Sequence, residues 1–339
     1  MFGDPGSMHI LWQSNVLEDF VFKWGSDDNY LLGSLPVTGN PENHLYQVEL
    51  MGLQPGMHYY YLVSTAGAET RGDFFSPPSE GAGLVFWAFG DTRSGPEIHN
   101  QIARDILAEV QQNPAAQTFV LSAGDLMDTN SEASLQESEF PIDESDMPML
   151  QAHIPVVNTL GNHDSLSLFN EYFPYPYNNT NDWSFDYGPV HILVVDQYIP
   201  LTSGSKRLEQ LRQDLATSNK SWKIILLHEP GWSAGPHDNN MTVQELIQPL
   251  AVETGVQLVI GGHNHYYARA EVDGVVHLTT GGGGAPLYTP GSGWPRVLTA
   301  VKAYHYLKFE ISGTSMWVQS LSPSGEILDD FTISLEEQK

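Results

Sequence analysis

Short runs of alternating hydrophobic and polar residues fill the first 80 residues and predict β-strands. The predicted strands are His9–Gln13, Phe20–Gly25, His44–Leu50, His58–Ser64 and Arg71–Ser76. Turn-forming residues separate them, and short strands at this spacing are typical of a β-sandwich. Residues 76–83 are rich in Ser, Pro and Gly, which is the composition of a linker. We therefore predict one domain over residues 1–80 and a second over residues 81–339.

Beyond Leu84 the apolar runs become continuous and end in glycine plus a polar residue. These runs are Leu84–Phe89, Thr118–Leu121, Pro155–Leu160, His191–Val195, Trp222–Leu227 and Gln257–Ile260. Within 96–112 an isoleucine or valine recurs every four residues, which predicts a helix that Pro96 is suited to begin. Further helices are predicted over 204–217 and 242–252, and this strand–helix alternation indicates an α/β layered domain. The last predicted strands are Val275–Thr280, Tyr304–Ile311, Met316–Leu321 and Leu328–Ile333.

Polar residues follow five of these runs, at the point where each predicted strand ends. They form the segments Gly90-Asp91-Thr92-Arg93, Gly124-Asp125-Leu126-Met127-Asp128, Gly161-Asn162-His163-Asp164, His228-Glu229-Pro230 and Gly261-Gly262-His263-Asn264-His265. Because the ligand crevice of an open α/β sheet lies beyond the carboxyl ends of its strands, we expect the five segments to meet at one edge. Their glycines let the backbone turn sharply and approach a ligand closely.

The donors in these segments include two aspartates, one asparagine and three histidines, which is a mixed oxygen and nitrogen set. Such ligands suit Zn, Mn, Fe or Co better than Ca or Mg. Six protein ligands exceed one four-coordinate site, so two ions ~3.5–4 Å apart, sharing a carboxylate and a water, fit better. Such a pair serves phosphoryl transfer, because the ions lower the pKa of the water and neutralise charge on the phosphate oxygens.

Composition excludes several other classes of protein. With 14 Lys plus Arg against 41 Asp plus Glu, the formal charge is −27, which argues against binding nucleic acid or anionic membranes by charge. The chain has no cysteine, which excludes disulfides, thiolate metal ligands and cysteine nucleophiles. No run approaches the ~20 apolar residues of a membrane helix. The first ten residues lack the basic region and the long apolar region of a signal peptide. A signal peptide that has already been removed is also compatible with this sequence.

The order of the five segments resembles that of the calcineurin-like metallophosphoesterases: Gly-Asp, Gly-Asp, Gly-Asn-His-Asp, an isolated His and Gly-His-x-His. Residues 3–12 and 50–61 are similar to the fibronectin type III-like domain of the purple acid phosphatase-like branch, and 280–287 to its glycine-rich block. The resemblance covers roughly residues 3–310. It implies an N-terminal all-β sandwich, fibronectin type III-like, followed by an α/β catalytic domain with four αββα layers.

Carried over to this chain, the resemblance implies a role for each matching residue. Asp91, Asp125 and His265 would hold one metal ion, and Asp125 would bridge to a second ion held also by Asn162, His228 and His263. His163 would contact a phosphate oxygen, with Asp164 orienting it. His237 lies nine residues after His228, where the family has a histidine that contacts substrate. The two ions would be divalent or trivalent, with Fe, Zn or Mn as the candidates.

Three positions depart from the family's pattern. Asp128 stands where purple enzymes have a tyrosine ligand to ferric iron, so it is a candidate ligand or a neighbour of one. Arg93 stands where many relatives have a metal-binding histidine; it cannot ligate, but it could clamp a phosphate. Asp238 replaces a second histidine of plant relatives, which leaves the proton donor to the leaving group open.

Several of these residues also have ordinary structural interpretations. Asp128, Arg93 and His237 could be turn, surface and loop residues, respectively. His99, near the start of the predicted 96–112 helix, could be a surface histidine or a substitute ligand or phosphate contact near Asp91. The acidic stretch Glu132–Asp146 is expected to be a solvated loop or helix, or else a loop that gates the substrate.

The expected activity is hydrolysis of small phosphomonoesters by in-line attack of metal-bound hydroxide. The alternatives are a phosphodiesterase on the same site, a metal-dependent amidase or lactonase, and a non-catalytic binding protein with a relic metal site. Because relatives with this sandwich are commonly exported, a secreted or periplasmic location is expected. The sequence does not indicate an oligomeric state.

Overall fold

The computed structural model describes residues 6–141, 146–177 and 180–335. Two antiparallel sheets form the N-terminal sandwich, one of order β1-β4 and one of order β3-β2-β5-β6. Their strands are β1 (Ser7–Gln13), β2 (Asp19–Gly25), β3 (Gly33–Thr38), β4 (Leu45–Met51), β5 (His58–Ser64) and β6 (Glu69–Phe75). Residues 3–5 of the segment that resembles the family's domain start lie outside the described residues.

Alternation of buried and exposed residues forms the core of this sandwich. In β4 every second residue is buried, so one face packs inward and the other faces solvent. The Trp12 ring stacks on Tyr46 with 5.4 Å between ring centroids and on Phe22 with 6.2 Å. Because Trp12 and Tyr46 lie on one sheet and Phe22 on the other, this aromatic stack joins the two sheets.

The remaining strands belong to two larger sheets. They are β7 (Leu84–Phe89), β8 (Val120–Ser122), β9 (Val156–Asn158), β10 (Trp183–Tyr187), β11 (Val190–Val194), β12 (Trp222–Leu226), β13 (Leu258–Gly261), β14 (Tyr267–Val272), β15 (Val275–Thr280), β16 (Val297–Val301), β17 (Tyr306–Ser312), β18 (Ser315–Leu321) and β19 (Ile327–Ser334). Among the described residues, the first sheet has the order β19-β18-β17-β7-β8-β9 and the second the order β10-β11-β12-β13-β15-β14-β16. The strands β7, β8 and β9 pair in parallel, as do β11, β12, β13 and β15.

Helices cover the outer faces of both sheets. The helices are α1 (Pro96–Gln112), α2 (Glu132–Glu139), α3 (Asp146–His153), α4 (Leu166–Tyr172), α5 (Lys206–Thr217) and α6 (Gln248–Thr254), with a short 3-10 turn at Pro114–Ala116 and a π-helical turn at Val243–Ile247. One apolar cluster joins α1 and α3 to the first sheet, and another joins α5 and α6 to the second sheet. A third fills the space between the sheets. The layers therefore run helix, sheet, sheet, helix, and the predicted sandwich and αββα fold are confirmed.

The sequence predictions match most of the central elements. The helix over 96–112 and the strands His58–Ser64 and Val275–Thr280 have the predicted bounds. Strand β3 was not predicted, because it is an edge strand with a proline, little burial and no regular alternation. Among the described residues, no helix is long and apolar enough to cross a lipid bilayer.

Polar contacts join the sandwich to the αββα domain. The Tyr61 hydroxyl of β5 donates to the Ala152 carbonyl of α3 at 2.8 Å. The Asp73 carboxylate of β6 lies 2.6 Å from both His153 Nδ1 and Gln117 Nε2. These contacts lie on the side of the sandwich that faces α3. The domain boundary near residue 80 stays a prediction.

Candidate metal centre

The polar residues singled out by the sequence meet at one end of the two sheets. Asp91, Asp125 and Asn162 follow β7, β8 and β9 of the first sheet, while His228 and the pair His263 and His265 follow β12 and β13 of the second. Both groups lie beyond the carboxyl ends of parallel strands, where the backbone leaves the sheet. The five polar segments therefore lie together, as expected, but the strands that precede them belong to two sheets instead of one.

Three of these side chains form a compact buried cluster. Asp91, Asp125 and His265 each offer one ligand atom, and these atoms all lie within 4.8 Å of one another. His265 Nε2 is 3.4 Å from Asp91 Oδ1. We call this cluster position 1. Two carboxylates and an imidazole form a donor set that suits a transition-metal cation.

A second cluster lies directly beside the first. The Asn162 side-chain oxygen is 3.1 Å from His228 Nε2 and 2.8 Å from His263 Nδ1. His228 Nε2 is also 3.4 Å from Asp125 Oδ1, so Asp125 takes part in both clusters. We call this set of four side chains position 2. Asp125 thus lies between the two clusters, and the assignment of these residues as metal ligands stays a prediction.

Carbonyl groups orient the imidazoles of two histidines. His228 Nδ1 lies 2.7 Å from the Ala123 carbonyl and His265 Nδ1 lies 2.8 Å from that of Pro286. A carbonyl oxygen only accepts hydrogen bonds, so each Nδ1 carries the proton. Each Nε2 is thus left with its lone pair directed toward the carboxylates, as a metal ligand requires.

The backbone at the centre adopts conformations that ordinary residues avoid. Asp91, Asp125 and His263 have φ angles of 57°, 58° and 66°, in the left-handed region. Such conformations cost of the order of 1 kcal/mol or more each and persist where the surrounding structure imposes them. Gly161 is required for a related reason, because a Cβ there would overlap the backbone and carboxylate of Asp125. These loops are shaped to bring side chains together.

Asp164 has a different set of partners from the one expected. We expected it to orient His163, but its carboxylate accepts backbone N–H groups instead. Its Oδ2 accepts from Gly161 at 2.7 Å and from Asp125 at 3.0 Å, and its Oδ1 accepts from Leu126 at 2.8 Å. Asp164 therefore ties the loop after β9 to the loop after β8. His163 donates its own backbone N–H to Asp125 Oδ1 at 2.9 Å.

Arg93 and Asp128 form an ion pair at the edge of position 1. Arg93 Nη1 donates to Asp128 Oδ1 at 2.9 Å, and the Ser94 hydroxyl donates to the same oxygen at 2.6 Å. Arg93 Nε also donates to Asp125 Oδ2 at 3.3 Å. The Arg93 side chain is 11% exposed and that of Asp128 is 55% exposed. Arg93 thus reaches the carboxylate shared by both positions, whereas Asp128 lies outside the three-residue cluster of position 1.

His237 lies beside the second cluster. Its ring centroid is 4.3 Å from that of His263, and its Nε2 lies 3.4 Å from the Tyr288 hydroxyl. The Tyr288 ring in turn stacks on His265 at 4.2 Å. The neighbouring Asp238 is exposed. Tyr288 was not among the predicted site residues, although it follows the glycine-rich block 281–284 by only four positions.

His99 lies inside the core behind the loop of Asp91. It is fully buried on α1, with its ring edge-on to Phe89 at 5.0 Å and its Nδ1 3.6 Å from Glu139 Oε1. Burial lowers the pKa of His99 to about 4. Burial also raises the pKa of Glu139 to about 8. The hydrogen bond that the Thr92 hydroxyl donates to Glu139 at 2.6 Å lowers this pKa, but by less than burial raises it. The acidic stretch Glu132–Asp146 therefore places one carboxyl group, that of Glu139, in the core. Residues 142–145 of this stretch lie outside the described residues.

The charges of the centre shift one another's pKa values. Burial opposes ionisation of Asp125, but the His228 imidazole and the His163 N–H outweigh it and hold the pKa of Asp125 below its usual value. Burial likewise opposes protonation of His228, and Asp125 and Asp91 keep its pKa raised. For His263, burial and the neighbouring His228 lower the pKa to about 3. Ionised carboxylates and a neutral His263 are the forms that bind cations.

Sequence reasoning also missed Gln197. Its side-chain oxygen accepts the backbone N–H of His228 at 2.8 Å and of Glu229 at 2.6 Å, and its Nε2 donates to the Glu229 carbonyl at 3.0 Å. The glycine-rich block contributes backbone contacts: Ala285 N–H donates to the Asp91 carbonyl at 2.8 Å. Nothing in the local pattern marks Gln197, because it acts on a loop 31 residues away.

The residues of position 1 fit a bound metal cation. Two buried carboxylates converge with imidazole nitrogens that already have their lone pairs aimed inward. Without a cation, buried carboxylates this close would repel each other strongly.

Comparison with known proteins points the same way. The sequence model of a family described as calcineurin-like phosphoesterase matches residues 84–267, which is just over half of the chain. The chain is 24% identical over 250 residues to purple acid phosphatase 1 of Ipomoea batatas, covering 67% of this chain and 52% of that protein. It is also 24% identical over 299 residues to purple acid phosphatase 5 of Arabidopsis thaliana, covering 83% of this chain and 72% of that protein. The chain spans about half, or less, of the length of the first curated relatives that it matches.

A solved structure shows the same architecture. The purple acid phosphatase PPD1 from yellow lupin (Lupinus luteus) seeds superposes with a TM-score of 0.76 at 17% sequence identity. The match covers 98% of this chain and 73% of that protein. At this identity the likeness shows a shared fold that includes the N-terminal sandwich.

Proposed function

Because the chain belongs to the calcineurin-like phosphoesterase family, we propose that it hydrolyses phosphoesters at a pair of metal ions held in positions 1 and 2. The observation that carries this proposal is the convergence of Asp91, Asp125 and His265 within 4.8 Å, beside Asn162, His228 and His263. When bound, the ions would activate a water molecule and neutralise charge that develops on the phosphate oxygens.

The ligands of each ion are assigned from the donor atoms that face each cluster. Asp91, Asp125 and His265 would hold one ion, and Asn162, His228 and His263, together with Asp125, the other. A donor set that combines carboxylates with imidazoles favours Fe, Zn or Mn. Asp164 and Gln197 support these ligands by fixing the backbone of the loops that carry them.

The surrounding basic side chains would position the phosphate. Arg93 Nε donates to Asp125 Oδ2, the backbone N–H of His163 donates to Asp125 Oδ1, and the His237 ring lies next to that of His263. An arginine can donate two parallel hydrogen bonds to one phosphate, which favours the dianionic group of a monoester. We therefore propose small phosphomonoesters as the substrates, with His237 nearest to the leaving group.

Metal removal and one substitution test the reaction. Metal-stripped protein is expected to be inactive and to recover on addition of Mn, Zn or Fe. The Asp125→Asn variant keeps the side-chain size but removes the shared charge, and it should lose at least ~100-fold in kcat/KM. His9→Asn, a substitution in β1 of the sandwich, serves as the control and should retain activity. Full activity of metal-free Asp125→Asn protein would rule out this function.

A pair of substrates tests the monoester preference. The rate of hydrolysis of p-nitrophenyl phosphate should exceed that of bis-p-nitrophenyl phosphate on the same reconstituted protein. Arg93→Gln should reduce the first rate more than the second, because only the monoester carries the dianionic group. A ratio well below one would instead assign a phosphodiesterase activity to this centre.

The location outside the cytoplasm stays a prediction. Recovery of the chain from the culture medium or periplasm of its source cells would support it.

A further inference from the structure

We propose that the two positions bind ions with unequal affinity, position 2 first and position 1 second, and that the guanidinium of Arg93 is the group that weakens position 1. The inference rests on the proposed function, because it requires that both positions bind ions.

Position 2 offers four donor atoms. These are Asn162 Oδ1, His228 Nε2, His263 Nδ1 and Asp125 Oδ1. Two of the donors are imidazole nitrogens, and the contact of His228 Nδ1 with the Ala123 carbonyl leaves His228 Nε2 facing the Asp125 carboxylate. Position 2 could thus supply four protein donors, which is the number that a four-coordinate metal site requires.

Position 1 offers fewer donors. Within the part of the chain that the structure describes, the carboxylate and imidazole ligands that cluster there are Asp91, Asp125 and His265. Asp128, the nearest additional carboxylate in the loop after β8, lies outside this cluster. Its Oδ1 is already engaged by Arg93 at 2.9 Å and by Ser94 at 2.6 Å.

Arg93 adds a fixed positive charge beside position 1. Its Nε donates to Asp125 Oδ2, the oxygen that does not face His228, at 3.3 Å. The side chain is only 11% exposed, so water screens its charge poorly. A cation entering position 1 would bind the same Asp125 carboxylate that this guanidinium contacts, and it would approach the positive charge of Arg93. The same repulsion acts less on position 2, which uses Asp125 Oδ1.

Asp128 offsets part of that charge and holds the guanidinium in place. It pairs with Arg93 from the solvent side, where its own side chain is 55% exposed. An exposed partner neutralises less of the field inside the site than it would if it were buried. Removing Asp128 should therefore weaken position 1 further, while removing the charge of Arg93 should strengthen it.

Titration of metal-stripped full-length protein with Mn²⁺ tests the inference, read by calorimetry and by electron paramagnetic resonance. We expect one tight step and one step at least ~10-fold weaker, which is the ratio that 1.4 kcal/mol produces. The first equivalent should give the spectrum of an isolated Mn²⁺ ion, and only the second should give the spin-coupled spectrum of a pair.

Single substitutions assign the steps. His263→Ala should remove the tight step and His265→Ala the weak one. Arg93→Gln should tighten the weak step ~10-fold and leave the tight step within ~2-fold. Arg93→Lys is the matched control, since it loses the guanidinium shape but keeps the charge, and its weak step should stay weak. Asp128→Asn should weaken that step further, and thermal melts confirm that each variant is folded.

The outcomes separate this inference from the proposed function. Two equal steps, a coupled spectrum from the first addition, loss of the tight step in His265→Ala, or an unchanged weak step in Arg93→Gln would each overturn the inference while leaving a two-metal hydrolase intact. Absence of binding of Mn²⁺, Zn²⁺ and Fe²⁺ alike would overturn the proposed function itself.

Discussion

The carboxylate of Asp164 accepts the backbone N–H of Asp125 at 3.0 Å, so the residue shared by both metal positions is held by a side chain from the next loop. The same carboxylate also binds the N–H groups of Gly161, Leu126 and Met127. Asp164 thus acts on the backbone that carries the ligands.

Replacing Asp164 by alanine should disrupt that backbone. The change leaves four N–H groups without their acceptor, which we expect to lower the free energy of unfolding by ~2–4 kcal/mol. It should also weaken metal binding, because Asp125 loses its left-handed backbone conformation. Urea unfolding of metal-free protein and Mn²⁺ titration measure the two effects. Asp164→Asn keeps one acceptor oxygen and should be milder; equal stability of wild-type and alanine proteins would contradict this role.

Glu139 should make the protein less stable as the pH rises. Its folded pKa of about 8 lies above the ordinary value of 4.5, so the folded state holds a proton that the unfolded chain has already released. Stability is therefore lost between about pH 4.5 and pH 8. Glu139→Gln removes the ionisation, and its amide oxygen can still accept the Thr92 hydroxyl. The variant's stability relative to wild type should rise with pH from 5 to 8 in urea unfolding; a constant difference would argue against a protonated Glu139.

His191 should also make the protein less stable as the pH rises, but over a higher pH range than Glu139. Although burial disfavours its charged form, hydrogen bonds to Asp186 at 2.7 Å and Asp214 at 2.9 Å raise its pKa to about 9. The stabilisation is complete below the ordinary pKa of 6.5 and is lost as the pH rises through 9. His191→Gln should cost of the order of 1 kcal/mol or more at pH 6 and much less at pH 9. A loss that does not change over this range would contradict a charged His191.

The contact between the sandwich and α3 depends on Gly72. A Cβ at this position would overlap both the Tyr61 hydroxyl and the Ala152 carbonyl, which are hydrogen-bonded to each other. Gly72→Ala should therefore lower the free energy of unfolding by ~1–3 kcal/mol, because the new methyl group would push the Tyr61 hydroxyl and the Ala152 carbonyl apart. Gly67→Ala is the matched control, because a Cβ there meets nothing within 4 Å. Thermal unfolding of both variants measures the difference, and equal melting temperatures would show that the interface adjusts freely.

Local pattern was sufficient to predict the elements that carry the candidate metal ligands. The strands β7, β8, β12 and β13 are largely apolar and are buried on both faces apart from Lys223 of β12, so their hydrophobicity marks them without knowledge of the fold. The residues after them are recognisable because glycine, carboxylate and imidazole rarely follow one another in this order. Both signals are contained in short stretches of sequence.

Residues that act across the fold could not be predicted in this way. Gln197 supports a loop 31 positions away, and Glu139 is buried although it lies in an acidic, polar stretch. Asp164 was recognised, but its backbone partners depend on how two loops meet. Each of these roles is set by tertiary neighbours, which a single-sequence pattern does not contain.

The origin of the ligands in two different sheets has a consequence for folding. Asp91 and His263, already joined by a hydrogen bond at 2.9 Å, are separated by 172 positions along the chain. An ion bound between their loops would cross-link the halves of the domain, and it could do so only after the two sheets had docked. Its binding would then raise the free energy needed to separate the docked sheets, by ~4 kcal/mol at a free ion concentration 1,000 times the dissociation constant. Metal affinity would therefore report on the packing of the inner core, and substitutions between the sheets far from any ligand would be detected as weaker ion binding.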